Sequence, residues 1–149
     1  MPVSRTYLVP IDFSKTSEAA LKYALDEARE NNGKLFLLHV IPTSAYALAG
    51  PEGTAGGMYV DYIKIARESA EKEMQKLIKK HKLKSGEYQS KIIQGGDPPD
   101  VIAKQAKKIR AVMIVMGSHG RSGMKRFFLG SVAERTLRYA SCPTLIVKN

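Results

Sequence analysis

Gly117-Ser118-His119-Gly120 is followed, nine residues later, by Gly130-Ser131-Val132-Ala133, and this pair carries the most chemistry in the chain. Glycine lets a backbone approach an anion closely, and a helix start offers unpaired N–H groups at the positive end of its dipole. Phosphate is the ligand that such a pair would hold. Arg121, Lys125 and Arg126 inside the spacer would add side-chain charge to whatever the amides bind. A Gly-rich turn between a buried strand and a helix uses the same residues, so Gly-x-x-Gly alone does not decide between the two readings. The second Gly-Ser, at a helix start, favours the anion.

A second polar group stands at Pro10-Ile11-Asp12-Phe13-Ser14, where an apolar run breaks off. Asp12 there is either a turn or cap residue or a ligand contact, and Ser14 or Thr16 can cap the helix that follows. His39, between Leu38 and Val40, is expected to be a core histidine bonded to backbone, and His81 a surface one. His119 has no sequence-adjacent carboxylate to orient it as a base, so a structural or packing role is expected. No Gly-x-Ser-x-Gly elbow, Walker A sequence or zinc-spaced His/Cys cluster is present. These residues describe a site that holds phosphate more readily than it performs chemistry on it, and whether the chain is an enzyme stays open.

The elements that must position these residues alternate. Arg5 to Ile11, Leu35 to Ile41, Tyr88 to Gln94, Ala111 to Met116 and Thr144 to Val147 read as five short strands. Between them, helical spacing runs from Lys15 to a Gly33 cap, from about Tyr59 to His81, from Asp97-Pro98-Pro99 to Ile109, and from Ser131 to Ala140. Thr43 to Gly57, rich in glycine and small residues, reads as a mobile loop, either a lid or slack. Such alternation predicts a doubly wound α/β domain over residues 1–149, a five-stranded parallel sheet with helices on both faces. With strand order 3-2-1-4-5, the reversal falls between strands one and four, where ligands of such sheets bind. Pro10, Asp12 and Ser14 would meet Gly117 to Ser131 there.

Composition sets the surroundings. A 149-residue chain can bury a core without disulfides or metal, and its single cysteine, Cys142, expected buried and inert, fits a reducing compartment. Met1 to Thr6 runs directly into a strand pattern and no apolar run approaches spanning length, so a cytoplasmic location away from membranes is expected. The net charge of +10 favours acidic partners. Half of it lies beyond Gly117, where Glu134 is the lone acid; the run Lys76, Lys79, Lys80, Lys82, Lys84 and Lys91 reads as a solvated face. Nucleic-acid binding ranks last, because aromatic residues are not interleaved with the cations apart from Phe127 and Phe128, which are expected to pack.

The residues Val9 to Ser14, Leu37 to Val40, Met116 to Arg121, Leu129 to Val132 and Cys142 to Val147 together make the whole chain resemble a universal stress protein of the ATP-binding subclass. Gly117, Gly120, Gly130 and Ser131 match that family's nucleotide signature without a gap. The resemblance implies a Rossmann-like adenine-nucleotide fold. In it Gly117, Ser118, Gly120, Arg121, Gly130, Ser131 and Val132 contact phosphates and ribose, and Pro10 and Val40 lie beside the adenine. Asp12 would approach the ribose or a phosphate-bound Mg²⁺ or Mn²⁺. It further implies ATP, AMP or ADP as ligand, a nucleotide-dependent regulator or sensor in stress response, and a homodimer through Thr144 to Val147. A slow metal-dependent ATPase is the alternative. Which stress and which protein partners are involved is not written in the sequence.

Overall fold

The computed structural model describes residues 4–42, 55–119 and 128–148, with 55–60 described as backbone only. Five strands, β1 (Thr6–Pro10), β2 (Lys34–Ile41), β3 (Tyr88–Gln94), β4 (Met113–Gly117) and β5 (Thr144–Val147), alternate with α1 (Lys15–Glu30), α2 (Ala55–Lys80), α3 (Pro98–Lys108) and α4 (Ser131–Tyr139). All pairings are parallel, in the order β3-β2-β1-β4-β5, as the sequence predicts.

Alternation along the strands divides the core. Tyr7, Val9, Leu35, Leu37 and Val115 face α1 and the Met74, Leu77, Ile78 stripe of α2. Their sequence neighbours Leu8, Phe36, Leu38, Ile114 and Met116 face Ile102 and Ala106 of α3 and Ala133 of α4. Right-handed crossovers put α1 and α2 on one face, where the chain winds outward to β3, and α3 and α4 on the other, where it winds back to β5. Leu8, Val9, Leu37, Ile114 and Val115 are fully buried, each contributing about 1.5–3 kcal/mol, and this explains the near-continuous apolar reading of the central strands.

Three helices end alike at the amino edge of the sheet. Asn32, Lys82 and Arg110 have φ of 51°, 52° and 53°. In each case the next residue's N–H reaches back to close the last turn: Gly33 to Ala28 O at 2.7 Å, Leu83 to Ile78 O at 3.1 Å, Ala111 to Ala106 O at 2.9 Å. This is the Schellman closure with a non-glycine residue in the left-handed position. Gly33 is therefore not the left-handed residue that the sequence leads one to expect. It is small because a Cβ would stand 2.7 Å from the Tyr7 ring. Ala111 belongs to this closure, so β4 begins at Met113.

Other expectations are corrected. Helix α2 begins at Ala55, which takes Gly56 and Gly57 out of the loop; glycine's poor helix propensity, about 1 kcal/mol each, is overridden here. The rest of that loop lies outside the described residues. His81 is not a surface residue: its side chain is 15% exposed and Nε2 lies 2.8 Å from Glu18 Oε1, with Lys80 Nζ at 2.6 Å from the same oxygen. Phe128 is 62% exposed rather than packed, and Phe127 lies outside the described residues. Cys142 is half-buried, and burial pushes its thiol pKa up. The lysines from Lys76 to Lys91 are all exposed, as expected of a solvated face.

Candidate functional site

At the carboxyl ends of β1, β2 and β4 lies a cavity of about 590 Å³, within the usual size for small-molecule sites. Its β1 wall is a tight turn. Ile11 extends the ladder by donating to Leu38 O at 2.8 Å. Asp12 Oδ1 then accepts from the Ser14 N–H at 2.9 Å, and Phe13 takes φ 65°. A bulky residue in the left-handed region is a backbone outlier, sustained only where its surroundings fix it. His39 is the visible support: Nδ1 lies 2.6 Å from Ile11 O, and the ring packs against Phe13 with centroids 4.7 Å apart. Because a carbonyl only accepts, Nδ1 carries the proton. The backbone bond expected for His39 is present, and the ring also lines the cavity.

Helix α1 starts from this turn. Ser14 Oγ accepts from Ser17 N–H at 3.2 Å, which makes Ser14 rather than Thr16 the cap. Thr16 instead sends its hydroxyl across to the carbonyl of His119.

On the β4 wall, Ser118 N–H donates to Val147 O at 3.1 Å, and Ser118 O accepts from Gly130 N–H at 2.7 Å. That bond sets the start of α4, whose cap residue, Gly130, supplies no side-chain bond to the first turn. Gly130, Ser131, Val132 and Ala133 all border the cavity. Gly117 borders it too, but its lack of a side chain serves packing: a Cβ would lie 2.7 to 2.9 Å from Thr16 backbone and side-chain atoms.

Of the residues singled out in the sequence, Pro10, Asp12, Val40, Gly117, Gly130, Ser131 and Val132 come together around the cavity. Ser118 is buried, does not border it, and spends its backbone groups on β5 and α4. Its Oγ lies 3.2 Å from His119 Nδ1. His119 lines the cavity. Gly120 and Arg121 lie outside the described residues. Among the described residues, no group of three or more His, Cys, Asp or Glu is placed to hold a metal ion.

The structure adds a wall that the sequence reading missed. Tyr62, Ala66, Ser69, Ala70 and Glu73 of α2 border the cavity, together with Pro98 and Ile102 of α3. The signal was available in α2, where Ser69 and Glu73 sit at the polar margin of its apolar stripe. Between α4 and the start of α3, Arg135 grips Asp97, the residue before α3, through both carboxylate oxygens and lies 5.6 Å from the Tyr139 ring centroid. The Tyr139 hydroxyl and Asp97 together raise its pKa further.

A 3-2-1-4-5 sheet with an open crevice at its reversal, walled by a glycine-started helix and a carboxylate turn, defines a doubly wound, Rossmann-like α/β protein. The chain belongs to the universal stress protein family, whose model matches residues 4–148. It is 33% identical over 144 residues to the universal stress protein MJ0531 of Methanocaldococcus jannaschii, covering 95% of this chain and 80% of that one. It is 34% identical over 146 residues to YxiE of Bacillus subtilis, covering 95% and 97%. The solved structure of MJ0577, from Methanocaldococcus jannaschii, superimposes with a TM-score of 0.82 at 28% identity, covering 97% of this chain and 96% of that one.

Proposed function

We propose that this chain is an ATP-binding regulator of the universal stress protein family, binding its nucleotide in the crevice between β1, β2 and β4. One observation carries the reading: Asp12 from the first loop and Gly117, Gly130 and Ser131 from the fourth border the same cavity of about 590 Å³. In this reading the start of α4 receives phosphate oxygens, its amides and dipole favouring negative charge. Gly120 and Arg121 belong to the same phosphate segment in sequence. Adenine lies beside Pro10 and the Val40 backbone, where Leu38, Ile41 and Ile102 supply apolar surface. The Asp12 carboxylate, one oxygen of which accepts from the Ser14 N–H, takes a ribose hydroxyl or offers an oxygen to a Mg²⁺ or Mn²⁺ ion carried by the phosphates. Such an ion would neutralise phosphate charge beside that carboxylate. The bound and empty forms would differ in how firmly the crevice walls are held, which is the basis for a regulatory role.

Two measurements test this together. Purified protein is denatured and the supernatant analysed for adenine nucleotide, and refolded protein is titrated calorimetrically with ATP, with and without Mg²⁺. Saturable ATP binding that falls about 10-fold or more in Asp12→Ala supports the reading, since hydrogen bonds involving charged groups contribute about 1.5–3 kcal/mol. No ATP binding at millimolar concentration would refute it. Phosphate release in the same sample separates a regulator from a slow metal-dependent ATPase.

We further infer a homodimer through β5, a strand at the edge of the sheet with all four residues half-buried. Leu137 and Tyr139, exposed on the helix before it, leave apolar surface nearby. Sedimentation at twice the chain mass would agree with this; monomer at high micromolar concentration would contradict it.

A further inference from the structure

We propose that Thr16 is a positioning residue that sets the glycine half of the crevice from α1. The proposal deepens, and rests on, the nucleotide reading above. Thr16 is the second residue of α1 and is buried, 7% exposed. Its hydroxyl bonds the carbonyl of His119, a residue 103 positions away on the opposite wall. A carbonyl can only accept, so the single Thr16 proton is committed to His119. Thr16 Oγ1 also lies 3.1 Å from Ser14 Oγ, and with its own proton spent it must accept there, which makes Ser14 the donor. Ser14 N–H in turn donates to Asp12 Oδ1 at 2.9 Å. Ser14 thus donates to Asp12 by its N–H and to Thr16 by its hydroxyl, and Thr16 donates to His119, so one hydrogen-bonded seam links the Asp12 turn to the backbone of the β4 exit.

Packing reinforces the seam. A Cβ on Gly117 would come within 2.7 Å of Thr16 C and 2.8 Å of Thr16 Cβ, so the end of β4 rests directly on Thr16. One residue further on, Ser118 O holds Gly130 N–H at 2.7 Å and so fixes the start of α4. Asp12, His119 and Gly130 all border the cavity, whereas Thr16 does not. Thr16 thus sets the spacing between the carboxylate and the helix-start amides without touching a ligand itself. A nucleotide that spans both halves depends on that spacing, while adenosine, with no phosphate to reach α4, depends on it far less.

The test compares ATP and adenosine affinities in wild type, Thr16→Val and Thr16→Ser. Valine keeps the shape and removes the donor; serine keeps the donor. One neutral hydrogen bond sets the expected scale, so Thr16→Val weakens ATP about 3- to 10-fold, leaves adenosine within about 2-fold, and is rescued by Thr16→Ser. An unchanged ratio of ATP to adenosine affinity in Thr16→Val, with wild type binding ATP, overturns this proposal alone. Wild type that binds neither compound overturns the nucleotide reading and this proposal together. Melting curves accompany each titration. If Thr16→Val does not fold, Thr16→Ala, which also removes the donor, makes the same comparison, and an unchanged ratio there overturns the proposal equally.

Discussion

Gly117→Ala measures how tightly the β4 exit is seated. The new methyl would lie 2.7 Å from Thr16 C, 2.8 Å from its Cβ and 2.9 Å from its carbonyl oxygen, against ordinary contacts of 3.4–4 Å. Two of these atoms are backbone, so no rotamer change relieves the contact, and the first turn of α1 must move by roughly 0.5–1 Å. Helix α1 has nowhere to retreat, because Ser17, Ala20 and Leu21 are themselves buried. Overpacking of this kind costs about 1–3 kcal/mol. Restricting the unfolded chain by Gly→Ala returns about 0.4–1 kcal/mol. The net loss at the centre of these ranges is about 1.3 kcal/mol, which for a chain of this length lowers Tm by roughly 3–5 °C. Thermal unfolding followed by far-UV circular dichroism reads this directly. Gly86→Ala is the control: nothing lies within 4 Å of its added Cβ, so any loss there comes only from its φ of +89° and leaves ATP affinity unchanged. A Gly117→Ala protein that melts at or above wild type would refute the steric argument, and with it the account of why that position is glycine.

Further outcomes follow from the helix ends and from Glu18. Lys82→Gly and Arg110→Gly relieve left-handed backbone that costs a side chain about 1–2 kcal/mol; after subtracting glycine's greater freedom in the unfolded chain, each should raise stability by about 0.5 kcal/mol in urea unfolding. The Glu18 carboxyl is held below its ordinary value of 4.5, chiefly by the Lys80 hydrogen bond and, beyond it, by His81, with burial opposing. A depressed carboxylate contributes stability that is full above the unfolded value and is lost as pH falls through the folded one. Wild type should therefore lose on the order of 0.5 kcal/mol more than Glu18→Gln between pH 5 and pH 3, as read from urea midpoints at each pH. Equal losses in the two proteins would remove the ion pair as a source of acid sensitivity.

What the sequence reveals of this fold follows from what periodicity reports. β3 and β5 have the bounds read from the sequence, Tyr88–Gln94 and Thr144–Val147, and the strand order follows from βα alternation. Boundaries moved where a non-local or conformational fact intervened: Ala111 is taken up by the closure of α3, and Gly56 and Gly57 enter a helix that propensity denies them. Asp12 and the glycines were legible because their types are chemically loud. Thr16 was not, since in one dimension it is a spare cap residue, and its partner His119 is 103 positions distant. His81 was misread for the same reason: its carboxylate partner is on α1, 63 positions away. Ser69 and Glu73 mark the margin of the α2 stripe in the sequence, but only the fold shows that this margin borders a space defined by other elements.

The two cores are separated by the sheet along most of its length, one under α1 and α2, the other under α3 and α4. At the crevice they open onto common ground: Ile11 on one side and Ile102 and Ala133 on the other line a single cavity. Any occupant is therefore a keystone, touching both layers at once. Filling it would slow amide exchange in α2 and in α3 together, even though those helices stand on opposite faces of the sheet. The protein would register occupancy as a tightening of its whole architecture more than as movement of one loop, and a partner reading that tightness could bind far from the crevice.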